Sequence, residues 1–183
     1  MTGREPFILR LPAHIRACTA DDLEALEWFG RFTAHRDIIR QAFAAQTRGE
    51  GLMLVLDVNR FPAGQVWIDL AHARARETGL LWAVRVFPPL RSLGLGGRLV
   101  GAAEHALRAR GYDWSELGVE RGNARARQFY RRAGYSEAGE ERGWFSFTPP
   151  GTSAVVRQRR DEIIMQKSLV GASAPASERT GTD

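Results

Sequence analysis

The chain has one cysteine in 183 residues. Cys18 alone excludes an intramolecular disulfide. No apolar run reaches the roughly 20 residues that a membrane-spanning helix needs, so no membrane partner is expected. Met1 to Pro12 contains Arg4 and Glu5 and lacks the apolar centre of a secretory signal. The expectation is a cytoplasmic protein of bacterial type. Lysine is almost as scarce as cysteine: of 26 basic residues only Lys167 is not arginine. Such a bias is read as the imprint of a GC-rich genome rather than of nucleic-acid binding. There is no zinc-ligand spacing and no RNP-type motif, so neither a metal nor a nucleic acid is an expected partner. The net charge of +5 suits an anionic ligand.

With 44% hydrophobic residues the chain can bury one real core. Ile15 to Thr19 reads as a strand, followed by a helix from about Leu23 to Phe29 that Thr19 to Asp22 would cap. A second helix is expected over Ile38 to Gln46 and a strand over Leu52 to Val58. Asn59 to Gly64 reads as a turn. Gln65 to Leu70 alternates, with Val66, Ile68 and Leu70 on one face and Gln65, Trp67 and Asp69 on the other. A charged connection leads to a strand over Trp82 to Val86. Leu95, Leu99, Ala103 and Leu107 recur every four residues as the buried stripe of a central helix. Ser115 to Val119 is the next strand. A helix from Asn123 follows, and then a late hairpin, Trp144 to Phe147 with Asp161 to Leu169, around a Pro149 turn. We divide the chain into an N-terminal extension (1–14), one domain (15–170) and a disordered tail (171–183). The element order implies an α/β sandwich with a mixed sheet.

The most informative stretch is Leu81 to Tyr135. A strand runs through Pro88 and Pro89, which help end it, into Arg91-Ser92-Leu93-Gly94-Leu95-Gly96-Gly97 and then a helix. This succession aims free backbone N–H groups and the positive end of a helix dipole at one point. It is an anion cradle. A P-loop would need Lys-Ser or Lys-Thr after its last glycine, where this chain has Arg98-Leu99. A dinucleotide fingerprint would need a third glycine where Leu99 stands. The remaining pattern is Arg91-x-x-Gly94-x-Gly96. It resembles the acetyl-CoA pyrophosphate loop of the GCN5-related N-acetyltransferases. Downstream, Asn123-x-x-Ala126-x-x-x-Tyr130-x-x-x-Gly134-Tyr135 resembles the second signature of that family, one helix and one strand later. The likeness covers roughly Ile15 to Leu169.

The resemblance implies a mostly antiparallel mixed sheet whose two central strands, Trp82–Val86 and Ser115–Val119, splay apart to admit acetyl-CoA as cosubstrate. It implies that the backbone at Val84 and Val86 pairs with the pantetheine amides. Arg91, Ser92, Leu93, Gly94, Leu95, Gly96 and Gly97 would hold the pyrophosphate. Asn123, which is also a good helix N-cap, would contact the cofactor. Arg125, Arg127, Arg131 and Arg132 read as a solvated face from which one or two reach CoA phosphates. Tyr130 either packs on its helix face or protonates the leaving thiolate. Glu120 is the candidate general base, with Asp69, Glu116, His72 and a water relay as rivals. Trp28, Phe29 and Phe32 form core or wall an acceptor pocket, and Phe145 and Phe147 are placed to close it. The implied activity is direct acetyl transfer to an amine, on a small molecule or a protein, by a monomer or homodimer. The alternative is an inactive acyl-CoA-binding regulatory protein of the same fold.

Overall fold

The computed structural model describes residues 10–147, 152 and 154–171. Seven strands form one sheet in the order β1-β2-β3-β4-β5-β7-β6. They are β1 (Ala13–Ala17), β2 (Gly51–Val58), β3 (Phe61–Ala73), β4 (Thr78–Val86), β5 (Trp114–Glu120), β6 (Ser136–Phe147) and β7 (Val156–Ser168). All neighbours are antiparallel except β4 and β5. Three α-helices flank the sheet: α1 (Arg36–Thr47), α2 (Leu95–Arg108) and α3 (Ala124–Arg132). The turn at Pro149, the extension before residue 10 and the tail beyond residue 171 lie outside the described residues. Among those residues no helix is long and apolar enough to cross a membrane.

Period-two patterning splits the sheet into two packed faces. Leu54, Val66, Ile68, Leu81 and Leu117 join Leu99, Val100, Ala103 and Leu107 of α2 in the larger core. Met53, Val55 and Trp67 face the other way and pack with Ile39 of α1 and Leu26.

Three expectations are corrected. The helix over Leu23 to Phe29 is instead two single 3₁₀ turns, Ala20–Asp22 and Ala25–Glu27. Asp22 is drawn to Arg16 at 2.6 and 2.8 Å, and the Trp28 indole is pinned to the carbonyl of Pro62 at 2.8 Å. Trp28, Phe29 and Gly30 all then take positive φ, which stops any helix. The turn expected through Gly64 spans only Asn59 and Arg60, and Pro62 and Gly64 already belong to β3. Gly64 is there for contact: a Cβ would lie 2.9 Å from Leu99 Cδ1 and 3.2 Å from the carbonyl of Arg85. The late hairpin strands begin earlier than read, at Ser136 and Val156.

The feature that shapes the molecule is in its centre. β4 and β5 pair only from Thr78–Trp114 to Leu81–Leu117. Beyond that point β5 stays with β7 as far as Glu120–Glu162, while β4 stays with β3 and shifts register between Trp82 and Arg85. Ala83, within the shift, has φ of 50°. This is a bulge, which bends a strand and sharpens its twist. It coincides with the parting of the two strands.

The single lysine ties the back of the larger core together. Lys167 Nζ donates to both carboxylate oxygens of Glu104 on α2, at 2.9 and 2.7 Å, and to the carbonyl of Ala133 after α3, at 2.8 Å. Glu104 is 5% exposed. Removing one partner of such a pair leaves a buried charge unpaired. We expect Lys167→Met to lower unfolding stability by about 3 kcal/mol, the low end for such a pair because Arg108 still approaches Glu104. Urea denaturation measures it, and a midpoint equal to wild type would refute the tie.

Candidate active site

The parted strands open onto a cavity of about 540 Å³ on the α2 and α3 face. Val84 and Val86 form one wall. Ser92, Gly94, Leu95, Gly96 and Gly97 form its floor. Gly94 caps α2 with φ of 76°, and Ser92 also has positive φ, at 66°. These turns present successive amides in one direction: the N–H groups of Ser92 to Gly96 have no hydrogen-bond acceptor among the described residues. Such a nest ahead of a 14-residue helix suits an anion. A Cβ on Gly96 would lie 3.4 Å from the Phe129 ring, so the glycine keeps the mouth open. The donor set therefore fits the pyrophosphate of a CoA ester.

The remaining expected residues are placed as follows. Arg91 is exposed and its Nε donates to the carbonyl of Val86 at 3.1 Å, tying the loop to the strand it leaves. Leu93 is 64% exposed and does not line the cavity. Asn123 is the N-cap of α3 through a 3.0 Å hydrogen bond from Ala126 N–H, and it lines the cavity. The four arginines of α3 divide: Arg125 and Arg132 line the cavity, whereas Arg127 and Arg131 pair with Glu137. Tyr130 lines it too. Its ring packs against Phe129 and Tyr135 at 4.9 and 5.8 Å. Burial pushes the phenol up to about 12, so it is protonated at any physiological pH.

A second cavity, of about 330 Å³, opens on the opposite face of the sheet. Trp67 and Trp82, edge-on at 4.6 Å, stand on one side. His35 and Ile38 come from the α1 end and Arg85 from β4. Arg85 lines both cavities. Glu120 is exposed at the rim. Opposite it in register stands Glu162 of β7, and Glu141 of β6 stands opposite Glu162. The Glu162 carboxylate occupies the space that a side chain at Gly118 would fill. Burial raises its pKa; Arg160 opposes the shift, and Glu141 and Glu120 add to it. Sequence reading passed over Glu162, because only strand register brings it beside Glu120.

The rival bases are otherwise engaged. Asp69 accepts from the N–H groups of Ala71 and His72 at 2.9 and 3.0 Å. Glu116 is buried and accepts from Gln166 at 2.6 Å, with His72 3.5 Å away. Of the aromatic trio, Trp28 is core, Phe29 is 86% exposed and stacks on Phe61, and Phe32 lies beneath Arg85. The side chains of Phe145 and Phe147 lie outside the described residues.

Comparison with known proteins follows the same lines. The profile of the Acetyltransferase (GNAT) family matches residues 19–135. An uncharacterised N-acetyltransferase of Methanocaldococcus jannaschii is 30% identical over 145 residues, covering 71% of this chain and 63% of that protein. Mycothiol acetyltransferase of Beutenbergia cavernae is 39% identical over 71 residues, 39% of this chain and 23% of that protein. The chain thus spans under two thirds of either relative. Among solved structures, the Escherichia coli ribosomal-protein-S18-alanine N-acetyltransferase superposes with a TM-score of 0.64 at 23% identity, covering 93% of this chain and 100% of that one. An N-acetyltransferase from Staphylococcus aureus gives 0.67 at 16% identity, with 86% and 99% covered. These two likenesses establish the fold. With the profile match over more than half its length, the chain belongs to the GNAT acetyltransferase family.

Proposed function

We propose that the protein is an acetyl-CoA-dependent N-acetyltransferase that transfers the acetyl group directly to an amine. The observation that carries this reading is the run of unpaired N–H groups from Ser92 to Gly96 in the lining of a cavity that Tyr130 also lines. Acetyl-CoA, when bound, supplies an acetyl thioester that is open to attack by an amine. The loop amides hold its pyrophosphate, Arg125 and Arg132 add positive charge, and Asn123 borders the entrance. The β4 backbone at Val84 and Val86, past the point where β4 parts from β5, orients the pantetheine arm as an added strand would. An N–H near Val86 stands ready for negative charge developing on the carbonyl oxygen.

Two proton transfers remain. The amine, mostly cationic at neutral pH, must lose a proton before it attacks. Glu162 accepts it; burial raises its basicity, and like-charge repulsion from Glu141 and Glu120 adds to that. This reading keeps Glu120 in the site and moves the proton-accepting role inward to its neighbour. At the other end the phenol of Tyr130 donates to the departing thiolate. Because burial holds that phenol near 12, it is present in its acid form throughout the working range.

Acetyl-CoA is expected to raise the thermal midpoint of the wild type, since it binds the folded state alone. Gly96→Val, which drives a side chain toward Phe129, should abolish the shift and leave the protein folded. A retained shift would place the pyrophosphate elsewhere. Tyr130→Phe should reduce kcat by roughly ten-fold to a thousand-fold with little change in acetyl-CoA affinity. Wild-type turnover would reduce Tyr130 to packing. If the wild type shows the thermal shift but acetylates no amine at all, an acyl-CoA-binding protein is favoured instead.

Glu162→Gln should lower kcat by roughly a hundred-fold near neutral pH, with partial recovery as the pH rises and the amine arrives deprotonated. Glu120→Gln acts differently. It removes a negative neighbour, so the pKa of Glu162 falls, and the acid limb of the kcat/KM profile moves to lower pH. If that limb stays fixed in both variants, neither carboxylate is the base.

A further inference from the structure

Of the five buried side-chain polar atoms that lack a hydrogen-bond partner among the described residues, two belong to residues that line the second cavity, Arg85 and His35, and a third to Gln65, which stands opposite Arg85 in the sheet. These three are Arg85 Nη1, His35 Nδ1 and Gln65 Nε2. Arg85 and Gln65 are register partners across β4 and β3. The Arg85 guanidinium lies 4.2 Å over the Phe32 ring, and that ring is 5.6 Å from His35. Gln65 is fully buried. Its orientation is fixed because Trp67 Nε1 donates to Oε1 at 3.1 Å. The amide NH₂ is therefore the group left over.

Buried donors without acceptors are costly and uncommon. A cation and an amide donor left over side by side, walled by Phe32 and the two tryptophans, call for an anionic acceptor of hydrogen bonds. No carboxylate of the chain fills the role: among the described residues Arg85 has no ion pair. Arg85 lines the same cavity that Glu120 and Glu162 border. The cavity thus has a donor pole at Arg85, backed by the buried Gln65 opposite it in register, and a carboxylate pole at Glu162. A guanidinium paired with an amide NH₂ matches the two oxygens of a carboxylate.

We propose that the acceptor is a free amino acid, whose carboxylate is held by Arg85 and Gln65 while its ammonium faces Glu162. This rests on the transferase reading above and narrows it to a substrate class. The cavity volume of about 330 Å³ accommodates a molecule of that size. Arg85 then acts in specificity: it holds the end of the acceptor that does not react.

The test follows release of free CoA from acetyl-CoA. The acceptors are a pool of L-amino acids, the matching pool of amino-acid amides, and a panel of simple alkylamines and polyamines. Wild type should consume the acid pool at least about ten-fold faster than the amides, the loss expected when a hydrogen-bonded charge is deleted. Arg85→Met retains the stem over Phe32 and should remove this preference by raising KM for the acids. Arg85→Lys keeps the charge without the fork and should restore part of it. Equal rates for the two pools, activity with neither pool, or an acid preference that survives in Arg85→Met would each overturn the proposal. The thermal shift with acetyl-CoA and turnover of the alkylamine panel are read in parallel. If these succeed without acid preference, only the amino-acid assignment fails. If the shift and all turnover are absent, the transferase reading itself fails.

Discussion

The site depends on the point where two parallel strands stop pairing. A strand inside a sheet spends its N–H and C=O groups on its neighbours, and those groups are then closed to any ligand. Between Leu81 and Leu117 this chain ends that commitment: β5 keeps β7, β4 keeps β3, and the facing edges are released into the interior. An exposed edge is ordinarily a liability. Here it is bordered on one side by α3 and on the other by the glycine loop, so that only a narrow extended chain can reach it. The bulge at Ala83 belongs to this arrangement, because a straight β4 would continue alongside β5.

The same parting connects the two faces of the sheet. The larger cavity lies with α2 and α3, the smaller with α1, and Arg85 borders both. A thioester entering from one side and an amine entering from the other would meet in the gap. Their charges differ accordingly. The loop side offers amides and arginines to phosphate, whereas the β5–β7–β6 side sets Glu120, Glu162 and Glu141 in one row. Like charges in register weaken a sheet, and such a row persists where function or a counter-charge such as Arg160 supports it.

The legible parts of the sequence were those whose chemistry is local. Glycine spacing after a strand, the helix cap at Asn123 and the four-residue stripe of α2 each act within a few residues, so their pattern is visible in one dimension. The misread parts were decided at a distance. The segment over Leu23 to Phe29 has helical composition, but the Trp28 indole is held by the carbonyl of Pro62, 34 residues away. Gly64 looked like a turn and is a close contact with α2. Glu162 was invisible as a site residue because its neighbour Glu120 is 42 positions earlier and only the ladder of β5 with β7 unites them. Arg85 is one arginine in a chain rich in them, and what marks it out is a buried, unpaired Nη1 on a residue that strand register sets opposite the unpaired amide of Gln65.

Lys167 has a further consequence. It is the only side-chain primary amine in the chain, and its three N–H bonds go to Glu104 and Ala133. An ammonium so held has no free lone pair with which to attack a thioester. The protein therefore presents to the activated acyl groups it would handle a single lysine, and that one is engaged as an ammonium. Reagents directed at lysine side chains would meet the same single, engaged amine.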